Sequence, residues 1–201
     1  MKKIIMLLMA LCLAMPAVHA ELTSKQEKQN EKMAKNRAKD LKKKGYESMS
    51  SLPLESALLK HYNKMTDMGL QEVEGVSTRT KSKSNGRAMA QTDALRNYAT
   101  AMSTDIAGKN RLLAEAGVPE VEREALSSAF LTETQTQIRG ELQESYAIIK
   151  DNGDGTYEVQ IMYLLNPEAA TNAKARAIEK LIEEQGLQAE LAKTVRETFK
   201  D

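Results

Sequence analysis

The sequence of 201 residues is poor in several residue types from which functional sites are commonly built. It contains one cysteine, two histidines, two phenylalanines and no tryptophan. The single cysteine, Cys12, lies in an N-terminal apolar run, so the rest of the chain can form no disulfide, thiolate metal site or cysteine nucleophile. An aromatic content of 4% leaves little from which to build a stacking surface for bases or sugars.

The first twenty residues have the pattern of an export signal. Lys2 and Lys3 give a positive start, residues 4–15 form an apolar run, and residues 18–20 supply a cleavage site. The apolar run is shorter than the roughly 20 residues that a membrane-spanning helix needs. We therefore expect residues 1–20 to be a signal peptide.

Removal of this leader predicts an exported bacterial protein that starts near Glu21 and resides in the periplasm or at the outer envelope. Cys12 is preceded by Leu11, whereas a lipid-attachment cysteine follows a small residue. This favours an ordinary leader residue over a lipidated one. After the leader, 27 basic and 28 acidic residues nearly balance, which gives no reason to expect a nucleic-acid partner.

Residues 21–50 form a basic helical arm or linker with few large apolar side chains. Nine basic residues face four acidic ones between positions 21 and 44. A thin apolar stripe recurs at helical spacing: Met33, Ala34, Ala38 and Leu41. Two interpretations are open. The favoured one is a solvated helix that docks one edge on the domain, and the other is a basic arm that approaches a phosphate-rich membrane surface.

Residues 51–166 alternate between helical and strand patterns and are expected to form one α+β domain. Pro53 and the apolar residues spaced by three and four from 54 to 65 predict a first helix. Alternation with a period of two over residues 70–80 then predicts a strand, in which Gly75 is a candidate bulge.

The middle of this domain is expected to be mostly helical. Residues 79–87 mix basic residues with serine and glycine but lack the spacing of a phosphate-binding loop, so we interpret them as an exposed connection. Residues 88–109 predict an alanine-rich helix that can lie close against a sheet. A further helix opens at residues 118–120, and the polar residues 132–137 predict a turn from helix to strand.

The stretch Asp-Asn-Gly-Asp-Gly at residues 151–155 fits either a calcium loop or a hairpin turn. Counted from its first residue, the third and fifth ligand positions of a calcium loop are Gly153 and Gly155, which have no side-chain oxygen. Asn-Gly and Asp-Gly instead tolerate the positive φ of tight turns. The flanking residues 145–150 and 156–165 have strand patterns. The stretch therefore predicts a hairpin.

Residues 167–201 predict a pair of helices after the sheet. Asn166 is a suitable N-cap, Pro167 suits the first helical position, and Gly186 separates the two helices. Apolar residues at steps of four mark the second helix: Leu187, Leu191, Val195 and Phe199.

The order of these parts resembles a known family. Residues 74–77 read Glu-Gly-Val-Ser, residues 90–99 follow A-x-x-x-A-L-R-x-x-A, and residues 154–161 follow D-G-x-Y-x-V-x-I. Over roughly 54–165 the chain is similar to the "Lpp-twenty" type of bacterial envelope lipoproteins and to the N-terminal domain of a flagellar assembly protein. The resemblance implies an alanine-rich helix packed across a small antiparallel sheet. It also implies an envelope location and a structural or interaction role, without catalytic residues.

No residues of the sequence converge on a catalytic, cofactor-binding or metal-binding pattern. His61 is the only histidine after the leader, and no Ser–His–Asp set can be built on it from sequence. Acidic residues such as Asp105 and Glu141 could do acid–base chemistry, but with 28 acidic residues almost any pair can be nominated. We therefore expect a non-enzymatic protein without a cofactor.

The expected function is that of a structural or protein-interaction module of the envelope. Its partner would be an envelope protein or a second copy of the chain. The contact would form at an open sheet edge or at the stripe of Leu187, Leu191 and Val195. The alternative is a carrier that holds a small apolar ligand between helix and sheet. Four methionines would line its cavity: Met65, Met68, Met102 and Met162.

Overall fold

An antiparallel sheet with helices on both faces organises the protein. The computed structural model describes residues 24–199, so the predicted signal peptide, Cys12 and the first residues of the basic segment lie outside the described residues. The helices are α1 (24–43), α2 (Leu54–Met68), α3 (Lys83–Glu115), α4 (Glu120–Glu141), α5 (Pro167–Glu184) and α6 (Ala189–Phe199). The strands are β1 (Tyr46–Ser48), β2 (Gln71–Thr80), β3 (Gln143–Asp151) and β4 (Tyr157–Leu165). The predicted α+β class is confirmed.

The sheet has the strand order β1-β3-β4-β2, and every neighbouring pair is antiparallel. β3 and β4 form the central hairpin, in whose turn Gly153 and Gly155 both have a φ of +77°. The backbone N–H of Asn152 donates to the carbonyl oxygen of Thr156 at 3.0 Å and closes the turn. Since a positive φ is easily adopted only by glycine, these two residues explain why the chain reverses here, and the predicted hairpin is confirmed.

Helix α3 crosses one face of the sheet with its backbone almost touching that of β2. A β-carbon on Gly75 would lie 1.9 Å from the carbonyl oxygen of Ala90, and one on Gly86 would lie 2.6 Å from Cγ2 of Val159. Ala90 and Ala94 are fully buried in the same contact. Small side chains therefore set the distance between helix and sheet, because any added atom would overlap its neighbour.

The structure corrects two predictions near this contact. Gly75 is paired in regular register with β4, whereas the ladder becomes irregular between Ser77 and Thr80. The bulge predicted at Gly75 is therefore wrong, because the glycine makes room for α3 instead. The exposed loop predicted over residues 79–87 is also wrong, since α3 already begins at Lys83.

Helix α4 runs without a break through the polar residues 132–137, where the sequence predicts a turn. Glu133 and Thr134 are buried, and Nζ of Lys180 on α5 donates to Glu133 at 2.7 Å. Polar residues of this segment lie against a neighbouring helix, so their polar composition does not indicate a turn. The helix ends at Glu141, and the N–H of the next residue, Leu142, donates to the carbonyl oxygen of Ile138.

Helices α5 and α6 complete the layer on the α3 side. Val195 and Phe199 of α6 are buried in an apolar cluster with residues of α3, α4 and α5. Nζ of Lys109, itself buried, donates to the carbonyl oxygens of Thr198 at 3.3 Å and Phe199 at 3.2 Å. A lysine thus satisfies carbonyl groups that a helix C-terminus otherwise leaves unpaired.

Helices α1 and α2 cover the opposite face of the sheet, mainly over β1 and β3. Tyr146 and Ile148 of β3 and Met162 of β4 pack there against apolar residues of both helices. On the uncovered part of this face, β2 presents Glu72 and Glu74 to solvent. Among the helices of residues 24–199, none is both long and apolar enough to cross a membrane.

Candidate functional site

Helix α1 is attached to the rest of the protein along one narrow stripe. Ala34, Ala38 and Leu41 are at most 2% exposed and belong to the apolar cluster beneath α1 and α2. Met33, which the sequence places in this stripe, is 38% exposed. The prediction of a helix docked by one edge is therefore confirmed, but the buried stripe does not include Met33.

The position expected for Met33 is taken by a polar residue, Asn30. Its side chain is buried, and Nδ2 donates to Oδ1 of Asn63 at 2.9 Å and to Oγ1 of Thr66 at 3.1 Å. Both partners lie on α2. A buried amide that must find these two acceptors fixes the register between helices more strictly than alanine contacts do.

On its exposed side, α1 carries five lysines in one line. We call them the lysine row: Lys28, Lys32, Lys35, Lys39 and Lys42. Alternating steps of four and three residues keep the row within a sector of about 80° and give it a length of about 21 Å. The centre of this sector lies about 125° round the helix from the buried stripe. The centre of the row therefore points away from the buried stripe, whereas Lys42 at its C-terminal end lies beside Tyr46 of β1 and Leu54 of α2.

The acidic residues of α1 lie outside the lysine row. Glu27, Glu31 and Asp40 fall beyond its two margins on the helical wheel. No lysine of the row takes part in an ion pair among residues 24–199. Residues 21–44 carry nine basic and four acidic residues, a net charge of +5, whereas residues 45–201 carry 18 and 24, a net charge of −6. The basic excess is thus concentrated in residues 21–44, and most of that segment is helix α1.

A second candidate lies beneath α2, where His61 is fully buried. Its Nδ1 is 2.9 Å from Oγ of Ser145, and its Nε2 is 3.0 Å from Oε1 of Glu72. Since an ionised carboxylate can only accept, Nε2 donates to Glu72, which leaves Nδ1 as the hydrogen-bond partner of the Ser145 hydroxyl. The sequence did not reveal this set because its members come from α2, β2 and β3.

Ser145 reaches His61 because β3 contains one extra residue at this point. Glu144 and Tyr146 pair with consecutive residues of β4, so Ser145 has no partner of its own in the ladder. Such a bulge reverses the alternation of side chains along a strand. Ser145 and Tyr146 can therefore both face α2.

The order serine–histidine–carboxylate is also that of serine hydrolases. In those enzymes the histidine returns its proton to the leaving group, which must therefore reach the ring. His61 has no exposed surface, and its ring packs edge-on against Tyr62 and Tyr146 at centroid distances of 5.3 Å and 5.0 Å. This environment suits a buried structural link better than a site of proton transfer to a substrate.

A second polar network on the same face joins β1 to β4. The hydroxyl of Tyr46 donates to Glu158 and accepts from Nε2 of Gln160 at 2.7 Å, and Nζ of Lys150 donates to Glu158 at 3.2 Å. Burial raises the pKa of Tyr46, and the hydrogen bond to Glu158 raises it further. Burial alone would raise the pKa of Glu158, but the donors from Tyr46, Gln160 and Lys150 outweigh it and lower that pKa.

The sheet edge proposed as a contact surface is partly occupied by the chain itself. Strand β2 lies at the edge, but its Val76 N–H donates to Oδ2 of Asp93 at 3.0 Å. The carbonyl oxygen of Glu74 accepts from Nδ2 of Asn97 at 3.0 Å. A partner strand needs such backbone groups to pair. Side chains of α3 therefore shield the middle of this edge.

The C-terminal stripe proposed as the other contact surface faces the interior. Val195 is fully buried, and Leu187 and Leu191 are partly buried against the same cluster. The stripe is therefore not open to a partner along its buried residues, because α6 uses it to pack onto the other helices of this layer.

The methionines proposed to line a ligand cavity are dispersed. Met102 lies in the cluster of α3 to α6, Met162 lies beneath α1 and α2, and Met68 is 59% exposed. They therefore line no shared cavity in the described part of the chain.

The two nominated acids lie on different helices, and each is paired with a basic residue: Asp105 within α3, and Glu141 of α4 with a residue of α5. Asp105 lies 3.7 Å from Nζ of Lys109, and Glu141 accepts from Arg176 at 2.7 Å. Within residues 24–199, no group of three or more His, Cys, Asp or Glu side chains is placed to hold a metal ion.

Comparison with known proteins finds no matching family model, no similar curated protein and no similar solved structure. The resemblance to the "Lpp-twenty" lipoproteins stays a prediction from the sequence. The class that can be stated is structural: an α+β fold with helices on both faces of an antiparallel sheet. Of the candidate surfaces, only the lysine row is both exposed and without an ion-pair partner among the described residues.

Proposed function

We propose that the protein is an exported, non-enzymatic docking module of the bacterial envelope, and that the lysine row is its contact surface. The observation that carries this proposal is the row itself. Like charges three and four residues apart on a helix repel one another and lower helix stability. Five such lysines on a helix fixed to the domain make no ion pair within residues 24–199, which favours a binding role.

Two further observations support the proposal. The N-terminal pattern of residues 1–20 favours export. The polar groups of His61 and Glu158, which would be the natural candidates for chemistry, are engaged in hydrogen bonds within the fold. The structural role expected for a small envelope protein thus agrees with both its buried and its exposed polar groups.

Photo-cross-linking in the exporting cell tests this proposal. A photoreactive residue in place of Lys35 lies in the middle of the row, and one in place of Gln188 is also exposed but lies near the start of α6. We expect position 35 to give cross-links to an envelope component, protein or lipid, that position 188 does not give. Identical products at both positions, or none at position 35, would overturn the proposal.

A further inference from the structure

We infer that the partner of the lysine row is the headgroup surface of an anionic phospholipid bilayer. This inference rests on the proposed docking function and adds the chemistry of the partner. The sequence leaves two interpretations open for the basic segment, a helix docked on the domain and an arm that approaches a membrane. The two are compatible, because a helix can dock on the domain with one side and approach a membrane with the other.

The shape of the row fits a flat and continuous anionic surface. The five lysines lie along about 21 Å of a single straight helix, and all fall within about 80° of one another round its axis. A plane laid against this side can meet all five ammonium groups at once. A bilayer offers phosphate groups along that whole length, and each lysine near such a surface adds to the attraction.

The residue types in the row suit attraction to a surface of dense negative charge better than recognition of one particular carboxylate or phosphate group. All five residues are lysines, which act as hydrated point charges, whereas arginine provides the planar fork that selects a particular carboxylate or phosphate. The one arginine of α1, Arg37, lies off the row and is partly buried. No aromatic residue stands in α1 on which a nucleic-acid base could stack.

The distribution of charge over the protein orients the row toward such a surface. Residues 45–201 have a net charge of −6, so an anionic bilayer repels them while it attracts α1. Apolar side chains are missing from the row, and the docked stripe of α1 is occupied by the domain. The helix therefore rests among the headgroups without inserting into the acyl chains.

Vesicle co-sedimentation of the protein purified from exporting cells tests the inference. The probes are phosphatidylcholine vesicles with or without about 30% phosphatidylglycerol, at about 0.1 M salt, where charges interact over about 10 Å. The row variant carries glutamine at all five lysines of the row. The matched control carries glutamine at five exposed cations elsewhere: Lys60, Arg79, Lys81, Arg111 and Arg139.

We expect the native protein to bind only the anionic vesicles and to be released at about 0.5 M salt. The row variant should lose at least about 100-fold in affinity, whereas the control should lose less than about 5-fold. Equal losses in the row variant and the control would show that net charge alone acts and would overturn the inference. Equal binding of native protein and row variant would overturn it as well, as would native binding to vesicles without phosphatidylglycerol.

The outcome can be separated from that of the docking proposal. If position 35 cross-links an envelope protein in cells while the native protein ignores anionic vesicles, the docking function stands and the lipid partner is wrong. If neither position 35 nor the vesicles give a contact, both are wrong. Circular dichroism measures the thermal unfolding of the native protein, the row variant and the control. Equal unfolding temperatures confirm that the variants are folded when their binding is compared.

Discussion

The two faces of the sheet are covered in contrasting ways. On the α3 side, glycine and alanine bring backbones together, and a β-carbon at Gly75 would lie 1.9 Å from a carbonyl oxygen. On the α1 and α2 side, polar groups are buried in hydrogen-bonded sets around Asn30, His61 and Tyr46. On the α3 side there is no room for an added atom at the contact. On the α1 and α2 side, packing depends on the hydrogen bonds that the buried polar groups make.

This difference bears on function because the lysine row lies on the second side. Alanine contacts alone would let a helix slide or rotate, whereas the two hydrogen bonds from Asn30 fix α1 against α2. The direction in which the row projects is therefore set by the apolar stripe and by this buried polar contact together.

The largest expected effect is that of Gly75→Ala on the α3 side. The added methyl group overlaps the backbone of α3, which cannot yield as a side chain would, so we expect a loss of about 3 kcal/mol or more in the free energy of unfolding. Gly108→Ala is the control, since nothing lies within 4 Å of its added β-carbon. That change should stabilise α3 by about 0.5–1 kcal/mol. Urea unfolding measures both, and a harmless Gly75→Ala would contradict the close contact.

On the opposite face, His61→Leu should lower the free energy of unfolding by about 1–3 kcal/mol. Leucine fills the space of the imidazole ring with an apolar side chain, but it cannot form hydrogen bonds with Ser145 and Glu72. Glu72→Gln is the milder control, because its amide oxygen still accepts from Nε2 and its side chain is 41% exposed. We expect it to lose less than about 1 kcal/mol in the same urea experiment. A loss for His61→Leu no larger than that for Glu72→Gln would show that the two hydrogen bonds of His61 contribute little to stability.

Acid should lower the free energy of unfolding through one carboxylate on each side of the sheet, Glu133 and Glu158. Burial alone would raise the pKa of Glu133, but hydrogen bonds from Lys180 and Gln137 lower it, and the pKa of Glu158 is lowered on the other face. A lowered pKa stabilises the fold above the unfolded value of about 4.3, and this stabilisation is lost as pH falls through the folded value.

Replacement of either carboxylate by glutamine should therefore flatten the decline of unfolding free energy between about pH 5 and pH 2. Urea unfolding at a series of pH values gives the slopes for Glu133→Gln, Glu158→Gln and the native protein. Slopes equal to the native slope in both variants would show that these two groups do not carry the acid sensitivity.

The smallest effect on stability is expected from the row variant. Its five replaced side chains make no ion pair within the described residues, and their mutual repulsion is relieved. The free energy of unfolding should change by less than about 0.5 kcal/mol, or rise slightly. A marked loss would mean that the lysines support the fold, which would remove the main reason to assign them a binding role.

Local signals allowed much of the fold to be predicted from the sequence. The hairpin depends on two glycines in its own turn, and the start of α5 depends on Asn166, whose side chain accepts from the N–H of Glu168 at 2.8 Å. The docked edge of α1 followed from the spacing of Ala34, Ala38 and Leu41. Each signal is contained within about eight consecutive residues of the chain.

The rest depended on contacts between distant residues. Polar residues at 132–137 resemble a turn in composition, but α5 supplies partners that allow helix α4 to continue. His61, Ser145 and Glu72 meet only because of a bulge in β3 and the order of the strands. The angle between the lysine row and the apolar stripe follows from helical spacing, whereas the buried contacts of Asn30 with Asn63 and Thr66 were not evident from the sequence.

Fractionation of exporting cells tests most directly whether the lysine row is the docking surface. The native protein, the row variant and the matched charge control are compared by their distribution between membrane and soluble envelope fractions. We predict that the native protein and the control sediment with the membranes and are released by salt, whereas the row variant is recovered in the soluble fraction. A row variant that sediments with the membranes as the native protein does would contradict the account.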